Sequence, residues 1–197
     1  MLSPDQARRT AESLVERGIR AGATAADALY GGDRSSSVQV RLGEIEGVGR
    51  SEGEEVGLRL FVGQRSATVA SSDLSDDALA VLVERCLAMA QQAPEDPYAG
   101  LAPEELLQLG EEPAMDSFDP VEPDPSELRA RALEAESAAL AVAGVTNSSG
   151  AGASASASTI ALATSGGFSG SYESSAHGCS AGVIAGEGAV MERDHAW

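Results

Sequence analysis

His177 and Cys179 are the pair of side chains whose types and spacing come nearest to a chemical site in this sequence. Two residues apart on an extended segment, they fall on one face, with an imidazole and a thiol side by side. Both can ligate a metal. A structural zinc site takes four such donors, and a catalytic one commonly draws two histidines from successive turns of a helix. The chain has two histidines in all, and the second, His195, lies in no such motif. Ordinary packing or a surface pair is therefore the expected role of His177 and Cys179, and no metal-binding residue is assigned.

Nucleophilic chemistry has as little support. A reactive serine needs a positioned base and an orienting acid. Ser174 and Ser175 are near His177 in sequence only, and serine in this region is mostly the polar half of an alternating pattern. Nothing cationic flanks Cys179 to lower its pKa. Gly47, Gly49 and Gly53 have no strand–loop–helix context that would cradle a phosphate. No catalytic residue is identified.

The elements that would position any site are clearer. Ser3, Pro4 and Gln6 form a capping box that opens a helix, with Ala7, Ala11, Leu14, Val15 and Ile19 as its apolar stripe and Gly22 as its stop. A meander of short strands follows, with Val38, Val40 and Leu42 alternating with polar residues, then Val56, Leu58, Leu60 and Val62, then Ala67 and Val69. Gly43 and Gly63 stand where hairpin turns belong. A second helix begins at Ser75, with Leu79, Leu82, Val83, Cys86 and Met89 facing inward. Asp124, Pro125 and Glu127 cap a third helix, with Leu128, Ala132, Ala135 and Ala139 on its apolar side and Gly144 as its stop.

Between these helices the composition shifts. Six of the eight prolines lie between Pro94 and Pro123, and no basic residue occurs between Arg85 and Arg129. This reads as an acidic, solvated connector with one short helix near Pro103 to Leu109, a docked strap being the alternative. The expected organisation is a first α+β domain over residues 1–92, a connector over 93–123 and a second domain over 124–197.

The net charge of −18 disfavours direct binding to nucleic acid, whose phosphates such a surface repels. No segment has the length and apolarity of a membrane span. The first residues lack the basic start and apolar run of a signal peptide, and two cysteines are too few for a disulfide framework. The expected setting is the reducing cytoplasm.

The last third is the most distinctive stretch. Ala151, Ala153, Ala155 and Ala157 alternate with Gly152, Ser154, Ser156 and Ser158, the period of a strand. Gly166-Gly167 offers a reversal, and Phe168, Gly170 and Tyr172 then share a face of a second strand. The result is a long β-hairpin or ribbon whose small side chains allow another sheet, helix or peptide to approach closely. The fold class expected is α+β: a helix–antiparallel meander–helix layer, then a further helix and the ribbon.

Three segments of this region, Asn147–Ala151, Ala163–Tyr172 and Met191–Asp194, together with Arg41–Glu46, Ser72–Ser75 and Glu95–Leu101, resemble the TldD/PmbA family in its PmbA/TldE branch. The resemblance spans nearly the whole chain and keeps the family's order. It implies a non-catalytic subunit, or a fragment of one, in a cytoplasmic zinc metallopeptidase complex that processes peptides or unfolded proteins. The zinc helix would belong to a TldD-like partner, this chain would hold no cofactor, and the two would enclose the channel where peptide binds as an extended strand. It also carries an older description as a modulator of DNA gyrase, and it implies a third domain beyond Trp197. Asn147, Ser154, Ser156, Phe168, Tyr172, Arg193 and Asp194 are the residues that would face peptide or partner. The alternatives are a non-enzymatic binding or scaffold module, self-association in place of a TldD-like partner, and, least favoured, an independent peptidase.

Overall fold

The computed structural model describes residues 1–108, 110 and 115–197. Helix α1 (Pro4–Ala21) starts as its capping chemistry dictates. Ser3 Oγ accepts the Gln6 N–H, and the Gln6 side chain accepts the Ser3 N–H at 3.0 Å. Gly22 ends the helix with φ 112°, in the left-handed region. Strands β1 (Ala25–Arg41), β2 (Glu44–Val62) and β3 (Arg65–Ser71) follow, then α2 (Asp76–Gln92), capped by Ser75. Helix α3 (Pro125–Leu140) is opened by Asp124, whose carboxylate accepts the Ser126 and Glu127 N–H groups. Strands β4 (Val145–Thr164), β5 (Ser169–Ala185) and β6 (Glu192–Ala196) complete one six-stranded antiparallel sheet in the order β3-β2-β1-β4-β5-β6. The fold is α+β, as the capping and alternation patterns indicate.

The meander departs from expectation in length, since β1 and β2 run for 17 and 19 residues. Extended pairing carries the backbone through glycines that would break an isolated strand. The inward positions also shift in two helices. Ile19 and Met89 are 38% and 45% exposed, and Ala90 takes the place expected of Met89.

Two compact units result. One comprises Met1–Asp33, Gly53–Asp116 and Ser158–Glu173; the other comprises Arg34–Glu52, Ser117–Ala157 and Ser174–Trp197. These are spatial groupings, whereas the division at 92/93 and 123/124 follows composition; the long strands run through both units, so spatial grouping interleaves distant segments. In the first unit, α1 and α2 pack together and bury Leu14, Tyr30, Leu58, Leu60 and Cys86, with Ala161 and Ala163 in the same core. In the second, Leu128 and Ala132 of α3 pack on Val38, Val40, Ala151, Ala153 and Ala155.

The acidic connector is docked at several points rather than solvated throughout. Asp96 donates its N–H to the Gln64 carbonyl (2.8 Å), and the Leu101 and Leu107 side chains lie against Gly166. Residues 117–122 form a strap in the second unit. Ser175 donates its N–H to the Ser117 carbonyl (2.9 Å), the Asp119 N–H reaches Ser175 Oγ (2.8 Å), and Glu122 pairs with Arg34 (3.3 Å) and Arg50 (3.8 Å). Backbone bonds and two arginines together outweigh the solvation that composition alone suggests. The expected short helix is a single 3-10 turn, Glu104–Leu106, and Leu109 lies outside the described residues.

Candidate functional site

The ribbon has two unlike faces. Ala151, Ala153, Ala155 and Ala157 are buried, and the first three meet Leu128 and Ala132 of α3. The small side chains are used for close approach, as expected of them, but the element that approaches is the chain's own helix. The alanine face is core. Ser154 and Ser156 point the other way and are exposed. On that face the serines lie over glycines of the next strand. A Cβ at Gly178 would sit 3.0 Å from Ser154 Oγ, and one at Gly182 only 2.5 Å from Ser149 Oγ. Side chains would be forced apart there, so the serine–glycine pairing keeps this surface smooth.

The predicted site residues separate into groups. In the second unit, Arg193 and Asp194 line a cavity of about 580 Å³ between the C-terminal half of α3 and the β5–β6 pair, together with Ala135, Ala139, Val183, His195 and Trp197. The floor is alanine and valine, and the rim carries charge. Trp197 is 89% exposed and stacks on His195 at 4.9 Å between ring centroids. Ser154 lines a second hollow with His177, Cys179 and Trp197, whereas Ser156, also exposed, lines a smaller one with Ser175, His177 and the strap residues Asp119 and Glu122. Asn147 is half-buried, and its Oδ1 accepts the Ser148 N–H (2.9 Å). Phe168 and Tyr172 belong to the first unit; Phe168 is half-buried at the β4–β5 turn and Tyr172 is exposed.

The helix pattern does not anticipate one buried charge in this region. Glu136 occupies the third inward position of α3, with Ala135 and Ala139 only half-buried beside it. It is 3% exposed, yet its carboxylate accepts the N–H of Leu42 (2.8 Å) and of Gly43 (2.9 Å) and the hydroxyl of Ser148, itself fully buried. Leu42 and Gly43 are the two turn residues between β1 and β2, with φ 51° and 85°. Two positive φ values in succession define a type I′ hairpin turn, a conformation a leucine adopts only under constraint. Glu136 supplies the constraint. Burial pushes its pKa up, but the bonds from Ser148, Gly43 and Leu42 and the nearby Arg41 outweigh that and hold it below its ordinary value. A glutamate four residues beyond Ala132 on the packed face is the available signal, overridden by the polar reading of a charged residue.

A comparable case lies in the first unit. Tyr30 is fully buried; its hydroxyl donates to Glu54 (2.7 Å) and accepts the Leu2 N–H (2.9 Å). Burial, opposed by the Leu2 bond and reinforced by Glu54, pushes its pKa up to about 12. This network anchors the start of α1 and has no reactive exposure.

Among the described residues no group of three or more His, Cys, Asp or Glu side chains converges as a ligand set. The Cys179 thiol faces the Arg131 carbonyl (3.7 Å), and the His195 ring is held against Trp197. Cys86 is buried, directed at the carbonyls of Leu58 and Ala67.

The backbone arrangement recurs in solved structures. A proposed modulator of DNA gyrase from Bacteroides thetaiotaomicron superposes with a TM-score of 0.87 over 99% of this chain and 45% of that one, at 18% identity. TldE from Thermococcus kodakarensis gives 0.74 over 94% of this chain and 42% of the other, at 16% identity. Sequence comparison goes further. Residues 26–90 match the PmbA/TldA metallopeptidase domain 1, and residues 118–197 match the PmbA/TldA metallopeptidase central domain. This chain belongs to the PmbA/TldD family. It is 36% identical over 164 residues to the metalloprotease PmbA of Escherichia coli O157:H7, a match over 82% of this chain and 36% of that protein. A metalloprotease PmbA homolog of Haemophilus influenzae is 34% identical over 100 residues, covering 51% of this chain and 22% of the homolog. The chain thus spans about a third or less of the length of these relatives.

Proposed function

We propose that this chain is the first and central part of a PmbA/TldE-like, non-catalytic subunit of a cytoplasmic zinc metallopeptidase complex that processes peptides or unfolded proteins. The observation that carries the reading is the ordered match of both family domains. In this reading a TldD-like partner supplies the metal and activates water there, and this chain helps to form the substrate channel. The exposed serine face of β4 and the rim residues Arg193 and Asp194 are the surfaces available to an extended peptide or to the partner. They offer hydroxyl groups and one charge of each sign, a chemistry suited to a backbone rather than to one side chain.

The test is co-expression with a TldD-like metallopeptidase, followed by co-purification and a peptide-cleavage assay. Co-elution is expected, with chelator-sensitive cleavage that requires the partner. Chelator-sensitive cleavage by the isolated chain, without any partner, would refute the proposal.

A further inference from the structure

Residues 117–122, the strap, lie over the outer edge of β5. Along that edge β6 pairs with β5 from Ala185 to Ala181. The strap's backbone contact comes further on, where Ser175 donates its N–H to the Ser117 carbonyl (2.9 Å). Outward groups alternate along a strand, so His177 and Cys179 also turn theirs outward, between the two covers. The strap cannot follow the edge as a regular strand. Pro120 has no N–H to give, and the Val121 N–H is taken by the Asp119 carboxylate (2.9 Å) in an Asx-turn.

Its fastening is largely ionic. The Glu122 carboxylate sits between Arg34 (3.3 Å) and Arg50 (3.8 Å), and these three side chains are between 31% and 66% exposed. Ion pairs with that much access to water contribute little and are screened by salt. The alignment is also imperfect. Arg34 Nε is shielded from water and makes no hydrogen bond among the described residues, although Glu122 Oε2 is its ion partner. A carboxylate aligned with that N–H would gain a bond that Glu122 does not make. Beyond Glu122 the strap is anchored, since Pro123 is buried and Asp124 caps α3. Beneath it is a hollow of about 20 Å³ bordered by Ser156, Ser175 and His177.

We propose that the strap is a built-in competitor for the serine face: it lies where an extended peptide pairs with β5, and Glu122 stands in for an acidic side chain of that peptide between Arg34 and Arg50. The inference rests on the reading of this face as a peptide surface and adds to it a substrate class and a means of control. With a net charge of −18 the chain repels acidic ligands in general, so two arginines around one point give this spot its preference. Displacement is an exchange. The incoming peptide offers backbone to Ser175, His177 and Cys179 and a carboxylate to Arg34, while the strap swings away about its anchor at α3.

Two measurements on the full chain test it, with wild type compared to Glu122→Ala at unchanged circular dichroism. Amide hydrogen exchange at Ser175 reads the strap, and fluorescence anisotropy reads binding of a labelled synthetic peptide of residues 117–122. Glu122→Ala is expected to speed exchange at Ser175 and to tighten peptide binding about three- to tenfold, because the competing segment is held less often in place. Adding Arg34→Ala to that variant, or using a peptide with the Glu122→Gln change, is expected to remove the gain. Exchange at Ser175 that ignores Glu122→Ala, or equal peptide binding by both forms, overturns the proposal and leaves the peptide reading of the face untouched. Faster exchange with no binding by either form at about 1 mM peptide overturns that reading, and the proposal with it.

Discussion

Replacing Glu136 by alanine should be among the most destabilising single changes on α3, although the residue is charged and the helix is otherwise alanine-rich. Three donors converge on its carboxylate, and a hydrogen bond to a charged acceptor contributes about 1.5–3 kcal/mol net of exchange with water, least where water can replace the lost partner. Compensation differs among them. Leu42 is 59% exposed, so water can reach the turn N–H groups once the carboxylate is gone. Ser148 is fully buried, and its hydroxyl would lose the only acceptor that the carboxylate provides. The turn would also lose the clamp that holds Leu42 in the left-handed region, which costs on the order of 1–2 kcal/mol for a residue with a Cβ. Together these give about 3 kcal/mol for Glu136→Ala and about 1–2 kcal/mol for Glu136→Gln, which keeps one acceptor. Urea unfolding followed by circular dichroism reads this as a midpoint lower by about 1 M at unchanged slope. A loss below about 0.5 kcal/mol for the alanine variant would refute the reasoning, since that is the size of an ordinary surface substitution.

The same group fixes a pH signature. Because the folded pKa of Glu136 lies below its ordinary value of 4.5, the folded state holds the charge more firmly than the unfolded chain does. Its contribution is therefore fully present above about pH 5 and is lost as pH falls through the depressed folded value. The stability gap between wild type and Glu136→Gln should be constant near neutrality and shrink in acid. A gap that widens below about pH 4 would mean that the buried form is the neutral acid.

The ribbon and the donor set give further expectations. Ala155→Trp should destabilise by about 1–3 kcal/mol or more, because it drives a large ring into the contact with Leu128 and Ala132. Ser156→Trp, on the exposed face, should leave the circular dichroism spectrum intact and weaken peptide or partner binding; unfolding by both would make the whole ribbon core. Leu82→Ala should cost about 2–5 kcal/mol by urea titration, since Leu82 is 5% exposed. Elemental analysis of the purified chain should find no stoichiometric zinc, and one zinc per chain lost on His177→Ala would contradict the donor geometry.

Local chemistry was legible where a few adjacent residues decide the structure. Both capping boxes, the left-handed Gly22, the turn at Gly43 and the alternation from Ala151 to Ala157 are written in short windows, and each is found as read. What could not be read were partners distant in sequence. Glu136 meets Leu42 and Gly43 across more than 90 positions, and its spacing of four from Ala132 sets it apart from the exposed Glu134 without naming the partners that make its burial tolerable. The parity of β4 shows the same limit. Ser148 and Ala151 are both buried although three residues apart, so the inward set changes phase at Gly150, where φ is 114°. A phase change of this kind marks a bulge, and sequence alternation begun at Ala151 gives no warning of it.

The small side chains on the two faces of β4 have separate causes. Alanine and serine are nearly the same size, so alternation alone cannot say which set is inward or what covers it. The structure resolves this through α3: a helix resting on a strand needs small side chains on the buried face, and Ala151, Ala153 and Ala155 supply them beneath Leu128 and Ala132. Smallness on the opposite face has a different cause, since Ser149 and Ser154 lie over Gly182 and Gly178 of β5. Had the exposed serines been constrained only by packing, alanine would serve equally there. Their hydroxyl groups are the part of the pattern that packing leaves unexplained, and a surface that binds an extended backbone through hydrogen bonds would account for them.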